Sequence, residues 1–393
     1  MCASIVKWER KNTERFTEMS LLTRRSALAG ITSSMAFGAK ANSKVSFGII
    51  GTGERGRVVG SMMARDPRGR LMAICDVFPD RLDLARTQVP GADEVKSFGD
   101  YRELLVQHSL DAVLIATPVF LHPEHFAAAV KAGKHVYCEK PAGADVAGVK
   151  RLLRAAEAAS PAQSLAFGFQ QRFSPEYIAA EQMIRSGAAG DLTQMSSFWM
   201  WGGNAFAAPP KTNRYAPQER RLRYWNVYRE TSGDIIVEQD CHGVDVMNWF
   251  AGAHPVSASG AGGRKVRTFG DISDWFEITY EYAGGVRGML HASQLPPAPF
   301  ADVKEQFFGT KRVIETTRTY FAWMDAGKRD WHRTESKREI TIDAVEAFFS
   351  SIVEKKPLNM TKSSAESTLT SILGRMAAET GRVVTWEEML KAG

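Results

Sequence analysis

The sequence predicts an α/β fold. A doubly wound parallel sheet forms the N-terminal part, and an α+β domain with a large, mainly antiparallel open sheet follows it. From residue 44 onwards, short continuous apolar runs alternate with amphipathic segments, as in sheets buried on both faces. After about residue 165 the runs become longer and half-polar, with turn residues between them, which predicts antiparallel hairpins.

The elements of the N-terminal part are predicted from these apolar runs. We predict strands at 44–50, 70–76, 112–117 and 135–138, and helices at 57–65, 79–87, 122–132 and 145–159. Parallel strands need long crossover connections, and helices commonly supply them. The alternation therefore predicts that each helix packs back onto one parallel sheet.

The C-terminal part contains four predicted strand regions. They are SLAFGFQQRF, TQMSSFWMWGG, DWFEITYEYAGGVRGMLHAS and KEQFFGTKRVIETTRT. Gly284-Gly285 marks the clearest hairpin turn. Helices are predicted near 175–186, 238–250, 342–354 and 363–381. We expect three segments: a leader at 1–41, a dinucleotide-binding domain at 42–165, and a substrate-binding and oligomerisation domain at 166–393.

The basic charge of the chain is concentrated at its N-terminus. The formal charge is +6, but the first 41 residues hold seven Lys or Arg and three Glu, leaving 43 basic and 41 acidic residues. This balance argues against nucleic acid as a partner. Arg24-Arg25 precedes a short, weakly apolar stretch that ends at Ala39-Lys40-Ala41. The pattern predicts a twin-arginine signal, cleavage near Ala41, export to the periplasm and no integral membrane span.

The cysteines predict neither a disulfide framework nor a zinc site. Beyond the leader only Cys75, Cys138 and Cys241 remain, at wide and irregular spacing. We therefore expect no metal ion.

A glycine motif at the end of the first predicted strand indicates a nucleotide site. Residues 51–56 read Gly-Thr-Gly-Glu-Arg-Gly, which matches G-x-G-x-x-G. In that motif the glycines allow a tight turn and close approach of a pyrophosphate to the backbone. Asp76 closes the second strand, where a carboxylate binds ribose hydroxyls and repels a 2′-phosphate. NAD is therefore favoured over NADP as the cofactor. Arg55 and Arg81 lie nearby in the sequence and could bind a 2′-phosphate, so NADP remains an alternative.

Two further motifs supply groups for proton and hydride chemistry. Residues 137–141 read Tyr-Cys-Glu-Lys-Pro at the carboxyl end of a strand, and 238–245 read Glu-Gln-Asp-Cys-His-Gly-Val-Asp. Helical spacing predicts that Glu238, His242 and Asp245 share one helix face. An alcohol becomes a ketone only when its hydroxyl proton leaves, so His242 suits the base. Lys140 suits stabilisation of the developing alkoxide.

Together these motifs resemble the Gfo/Idh/MocA oxidoreductases. The likeness rests on the glycine motif, Ala116-Thr-Pro with His122, Glu-Lys-Pro, Gln171-Arg-Phe, the helix at 238–245 and the C-terminal TWEEML, and it extends over most of 44–390. The resemblance implies an NAD(P)-dependent oxidoreductase acting on CH-OH groups of a sugar, glycoside or polyol. Among the products that this substrate class allows is a 3-keto-glycoside.

The resemblance also assigns roles to individual residues. The catalytic candidates are Lys140, His242 and Glu238, although many relatives have aspartate where this chain has Glu238. The cofactor-binding candidates are Gly51, Thr52, Gly53, Arg55, Gly56, Asp76, Thr117, Pro118, His122, Glu139 and Lys140. Arg172, Trp225, Asp245 and His242 are the candidates for binding substrate. Because free NAD is scarce outside the cytoplasm, we expect a tightly bound cofactor.

Several alternatives remain open at this point. The aromatic residues Trp199, Trp201, Tyr215, Tyr224 and Trp225 suit either a sugar ring or packing in the core or a subunit interface. An exposed sheet face predicts a homodimer or homotetramer. The same motifs fit a glycosidase that works by transient oxidation, elimination and re-reduction with bound NAD. A non-catalytic sugar or cofactor sensor is a third reading.

Overall fold

The computed structural model describes residues 44–206 and 215–393. The predicted leader, with its twin-arginine signal, lies outside the described residues. Within the described part of the chain, no helix is both long and apolar enough to cross a membrane.

The first sheet is parallel and carries helices between its strands. In chain order the elements are β1 Val45–Ile50, α1 Glu54–Arg65, β2 Gly69–Cys75, α2 Pro79–Gln88, β3 Lys96–Phe98, α3 Tyr101–Leu105, β4 Ala112–Ile115, α4 His122–Lys131, β5 His135–Cys138, α5 Val146–Glu157 and β6 Leu165–Phe167. Among the described residues the strand order is β3-β2-β1-β4-β5-β6. The order reverses between β1 and β4, and such a switch point opens a crevice at the carboxyl ends of the strands.

The second sheet is mainly antiparallel. The elements that follow are α6 Pro175–Arg185, β7 Leu192–Trp201, α7 Pro217–Arg223, α8 Arg229–Ser232, α9 Ile235–Glu238, α10 Cys241–Ala251, β8 Ser257–Gly263, β9 Trp275–Glu281, β10 Arg287–Ser293, β11 Ala301–Gly309, β12 Arg312–Thr316, β13 Tyr320–Asp325, β14 His332–Glu335, α11 Ile340–Val353, α12 Thr361–Thr380, β15 Val384–Thr385 and α13 Trp386–Lys391. Within the described residues its order is β14-β13-β12-β11-β7-β10-β9-β8-β15. The β7–β10 pair is parallel.

One face of the second sheet carries the helices and the apolar core. Met195 on β7, Leu290 on β10 and Phe307 on β11 are buried, whereas alternate residues on the same strands are partly exposed. Strands with one buried face show this alternation because successive side chains point to opposite faces. The predicted fold class, a parallel sheet followed by a mainly antiparallel one, is confirmed.

Two predicted elements were wrong. The run SLAFGFQQRF was predicted as a half-exposed strand of the second sheet. Instead β6 pairs in parallel with β5, and its three residues are fully buried. A short apolar run without alternation is the pattern of a strand covered on both faces, and we overlooked it.

The second error concerns the predicted helix at 238–250. α9 ends at Glu238, because the amide of Asp240 bonds to the carbonyl oxygen of Ile235, five residues back (3.0 Å). α10 then begins at Cys241. Glu238 therefore does not lie on the same helix face as His242 and Asp245.

Candidate active site

The glycine turn after β1 leaves room for a ligand. Gly51 has a φ of 91°, and a Cβ on this residue would lie 2.7 Å from the backbone of Ala116. A Cβ on Gly56 would lie 1.9 Å from the carbonyl oxygen of Gly51. A Cβ on Gly53, in contrast, would meet nothing within 4 Å. Two of the glycines therefore permit the tight turn and helix packing, and the third leaves open space where a pyrophosphate approaches the backbone.

The start of α1 adds an electrostatic site to this turn. Gly53 is the N-cap residue and supplies no side-chain hydrogen bond to the helix amides. Unsatisfied amides and the helix dipole at such an end favour a phosphate. The glycine turn thus fits the diphosphate of a dinucleotide.

Asp76 follows β2 directly and is fixed beside the glycine turn. One carboxylate oxygen accepts hydrogen bonds from the amide (2.8 Å) and the hydroxyl (3.2 Å) of Thr52. The other accepts from the amide of Phe78 (3.0 Å). Asp76 lines the crevice and is partly exposed, so it can still accept from ribose hydroxyls.

The crevice at the switch point has a volume of about 500 Å³. Its walls come from the ends of β1, β2 and β4, and they include Thr117 and Pro118. Leu222, Arg223 and Trp225, from the segment around the end of α7, complete the wall. Trp225, which was predicted to bind substrate, therefore lies at the cofactor crevice.

His122 connects two loops at the edge of the sheet. It is 1% exposed, and its two ring nitrogens lie 2.8 Å from the carbonyl oxygens of Thr117 and Pro141. Burial lowers its pKa, and the hydrogen bonds to the two carbonyl oxygens act in the opposite direction. His122 thereby joins the loop after β4 to the loop after β5.

Arg55 links the glycine turn to the end of β5. Its Nε donates to a carboxylate oxygen of Glu139 at 2.8 Å, and Glu139 is 3% exposed. The Glu139 carboxylate also packs against Gly168, where a Cβ would lie 2.5 Å from it. A buried carboxylate needs a partner of this kind. The pair therefore fixes the position of Glu139 relative to the turn.

Lys140 follows β5 and contacts the end of α9. Its Nζ donates to the carbonyl oxygen of Glu238 and approaches a carboxylate oxygen of the same residue (3.3 Å). Burial by itself would lower the pKa of Lys140, but Glu238, Cys241 and Glu139 raise it above its usual value of 10.5. Lys140 is therefore an ammonium ion at neutral pH.

His242 lies on α10 and is 5% exposed. Its Nδ1 is 3.1 Å from Oε1 of Gln171, and the ring stacks on Trp199 with 5.4 Å between centroids and an angle of 10° between planes. An N–H donated from Nδ1 to the amide oxygen leaves Nε2 as an acceptor. Burial, followed by the positive charges of Lys140, Arg318 and Arg55, holds the pKa of His242 well below 6.5.

The structure places Lys140 and His242 at the junction between α9 and α10. Lys140 Nζ donates to the carbonyl oxygen of Glu238, the last residue of α9, and His242 is the second residue of α10. The Sγ of Cys241, the first residue of α10, lies 3.8 Å from the same carbonyl oxygen. A hydrogen-bond-donating cation beside a neutral imidazole can bind a hydroxyl group and remove its proton.

Two other candidate substrate residues are paired with each other. Arg172 donates to both carboxylate oxygens of Asp245 at 2.8–3.1 Å, and Ser367 also donates to Asp245 (2.6 Å). Asp245 is 1% exposed, whereas the Arg172 side chain is 17% exposed. A bidentate pair of this kind is strong and directional, so it fixes α10 against the segment before α6.

Sequence reasoning missed Gln171 as a partner of His242, and it missed Glu305. Glu305 on β11 is 1% exposed and accepts from the hydroxyls of Tyr177 (3.1 Å) and Thr316 (2.8 Å). Burial raises its pKa to about 7. Gln171 belongs to the Gln-Arg-Phe motif, but its pairing with His242 has no signal in the sequence, and no local pattern marks Glu305, because the partners of both residues are distant in sequence. In residues 44–206 and 215–393, no group of three or more His, Cys, Asp or Glu is arranged to hold a metal ion.

Comparison with known families agrees with this geometry. The family model "Oxidoreductase family, NAD-binding Rossmann fold" matches residues 45–167, and "GFO/IDH/MocA C-terminal domain" matches residues 177–315. The matched NAD-binding Rossmann domain supplies most of the wall of the crevice described above, and the protein is an oxidoreductase. The chain belongs to the Gfo/Idh/MocA family.

Individual proteins are also similar to this chain in sequence or in fold. Inositol 2-dehydrogenase of Rhizobium meliloti (strain 1021) is 25% identical over 69% of this chain and 74% of its own length. Myo-inositol 2-dehydrogenase of Thermotoga maritima is 25% identical over 68% of this chain and 73% of its own length. Levoglucosan dehydrogenase, solved in complex with NADH and levoglucosan, has a TM-score of 0.75 at 18% identity and covers 87% of this chain and 99% of its own.

Proposed function

We propose that this protein is an NAD-dependent dehydrogenase that moves hydride between its cofactor and a secondary hydroxyl or ketone of a sugar, glycoside or polyol. One observation carries the proposal: Lys140 Nζ is held at Glu238, the last residue of α9, and the buried imidazole of His242 lies at the start of α10, four residues further along the chain. The names of the relatives support the substrate class, since they are inositol and levoglucosan dehydrogenases.

In the oxidation direction, His242 is the proton acceptor. Its Nε2 takes the hydroxyl proton of the substrate while Gln171 holds the N–H at Nδ1. NAD held at the glycine turn and Asp76 would supply the acceptor for the hydride of the carbinol carbon. The electrons of the O–H bond form the new C=O bond, so the proton ends on His242 and the product is a ketone.

Lys140 interacts with the same substrate oxygen from which His242, the base, removes the proton. Its ammonium donates a hydrogen bond to the substrate oxygen, which carries increasing negative charge as the proton leaves. Glu238 holds Lys140 through its backbone carbonyl and its carboxylate, so it orients the ammonium. In the reverse direction the protonated imidazole returns its proton to the carbonyl oxygen.

The test of this function is a substrate screen. Purified protein with NAD is mixed with myo-inositol, scyllo-inositol, levoglucosan and free sugars and glycosides, and the absorbance of NADH and the mass of the product are recorded. We expect NADH together with a ketone, at the 3 position for a glycoside. Release of an aglycone without net formation of NADH would instead identify a glycosidase and contradict the proposal.

We further propose that the protein is exported through the twin-arginine route, cleaved near Ala41, and carries its NAD tightly bound into the periplasm as a homodimer or homotetramer. Arg24-Arg25 and the Ala-Lys-Ala sequence support export. The test is denaturation of protein purified from periplasmic extract. Nicotinamide absorbance in the supernatant is expected, and an empty protein with weak affinity for NAD would contradict tight binding.

A further inference from the structure

We propose that Arg223 is a latch that holds the segment 215–228 closed over the cofactor crevice and so slows the release of NAD. This segment belongs to the C-terminal part of the chain, whereas the rest of the crevice wall is formed by the parallel sheet. The inference rests on the proposed retention of NAD, and it names the residue responsible.

Arg223 reaches across to the N-terminal sheet domain. Its two terminal nitrogens donate to the two carboxylate oxygens of Asp80, at 3.0 and 2.8 Å. Its guanidinium also lies over the ring of Phe78, 3.8 Å from the centroid. Asp80 and Phe78 lie at the start of α2, immediately beyond Asp76. The bidentate geometry fixes both distance and orientation across the crevice.

On its own side Arg223 is equally constrained. Its Nε donates to a carboxylate oxygen of Glu219 at 2.7 Å, and Tyr215 packs against the guanidinium at 4.6 Å. Only 9% of the Arg223 side chain is exposed. The segment continues into the core through Val227, which is 7% exposed. A contact made by Arg223 therefore ties the folded C-terminal part to α2.

The latch lies where it must affect the cofactor. Leu222, Arg223 and Trp225 line the same crevice as Gly53 and Asp76. A dinucleotide held between these walls cannot leave by that side until the segment moves, and movement breaks the bonds from Arg223 to Asp80. The Asp80 side chain is 56% exposed, so the contact owes its strength to the bidentate geometry and to the stacking of Arg223 on Phe78. Loss of such a contact across the closed segment should act mainly on the rate of dissociation.

Arg223 is not suited to bind a phosphate itself. Two carboxylates, Asp80 and Glu219, already neutralise its charge, and each of its three nitrogens donates to one of them. A 2′-phosphate near Asp76 would have to compete with these two carboxylates for the guanidinium. The latch is therefore an element of cofactor retention and not of selection for NADP.

The experiment compares Arg223→Gln with Arg221→Gln in the full-length protein loaded with NADH. Arg221 lies on the same short helix, but it pairs with Glu230, and the side chains of both residues are solvent-exposed (42% and 76%). Release of NADH is followed by fluorescence after dilution into excess NAD, without carbohydrate. Because the Asp80 side chain is exposed to solvent, we expect release to be roughly two- to fivefold faster in Arg223→Gln and unchanged in Arg221→Gln. Equal rates in the two variants would overturn the proposal.

A second variant, Asp80→Asn, removes the charge on the opposite wall and leaves the Arg223–Glu219 pair in place. It must also release NADH faster, and the double variant must be no faster than the Arg223 variant alone, because both changes break one contact. Additive effects would contradict a single latch. Since no carbohydrate is present, a protein that oxidises no polyol would contradict the proposed function without altering this result.

Discussion

His242 is buried among cations, and this environment determines the pH at which it can act. Lys140, Arg318 and Arg55 oppose its protonation, as does burial, so its pKa lies well below 6.5. A base is active when it is unprotonated. The rate of oxidation should therefore stay constant at pH 6.5 and above, and it should fall only when the pH approaches the lowered pKa of His242. The pKa of Lys140 is raised above 10.5, so the ammonium is retained through the same range.

Gln171 offers a way to move this pH dependence. In Gln171→Glu a carboxylate would face Nδ1 of His242 and stabilise the imidazolium, raising its pKa by roughly one unit or more. The acid limb of kcat/KM for oxidation should therefore shift to higher pH. Measurement of kcat/KM against pH checks this.

Gln171→Leu is the matched variant for that measurement. It removes the hydrogen bond to Nδ1 without adding charge, so we expect a lower kcat because the tautomer is no longer fixed. An acid limb that remains at the wild-type pH in Gln171→Glu would show that Gln171 does not orient the base.

At the scale of elements, different glycines of the turn between β1 and α1 serve cofactor binding and folding. Gly53→Ala adds a methyl group into open space, so the free energy of unfolding should stay within about 0.5 kcal/mol of wild type. The same methyl group would occupy the approach of the diphosphate, so the Kd for NAD should rise at least about tenfold. Urea unfolding without cofactor and NADH fluorescence titration measure the two quantities.

Gly56→Ala should behave differently because its Cβ would lie 1.9 Å from the carbonyl oxygen of Gly51. We expect a loss of about 1–3 kcal/mol in the free energy of unfolding, as in other overpacked sites, in addition to weaker NAD binding. Equal stability of the two variants would refute this division of roles.

Elements were predictable from sequence where their signal is local. Continuous apolar strands, the glycine turn and Asp76 lie close together in the chain, so spacing alone placed them correctly at the switch point. The break after Glu238 was missed because helical spacing continues through it. β6 was assigned to the second sheet because its pairing with β5 depends on tertiary structure.

At the scale of the whole molecule, the site depends on contacts between distant parts of the chain. Lys140 meets Glu238, Gln171 meets His242, and Arg223 meets Asp80, and these partners are 71 to 143 positions apart in the sequence. A single sequence contains no pattern that predicts which of these distant side chains contact each other. The resemblance to a family identified Lys140 and His242, whereas Gln171 and Arg223 required the structure.

Buried histidines should make the whole fold sensitive to acid. His125 lies near the crevice, and burial lowers its pKa to about 4, whereas an unfolded histidine has a pKa of about 6.5. The unfolded chain therefore takes up a proton that the native state excludes. The contribution of His125 to stability is complete above pH 6.5 and is lost as the pH falls towards 4.

His125→Gln tests this linkage. The free energy of unfolding, measured by urea denaturation at several pH values at a fixed saturating NAD concentration, should decline less steeply between pH 6.5 and about 4 than in wild type. His122 and His242 remain and preserve part of the slope. Parallel curves for the two proteins would exclude a contribution from His125.

The central claim is that Lys140 and His242 together perform proton transfer at a bound nicotinamide. The most direct measurement is a single-turnover reduction of protein-bound NAD by a polyol identified in the substrate screen, in wild type, Lys140→Met and His242→Asn. The account predicts that both variants still bind NAD while their rate of reduction falls by roughly 10²–10⁴. Reduction at the wild-type rate in either variant, with the cofactor bound, would contradict it.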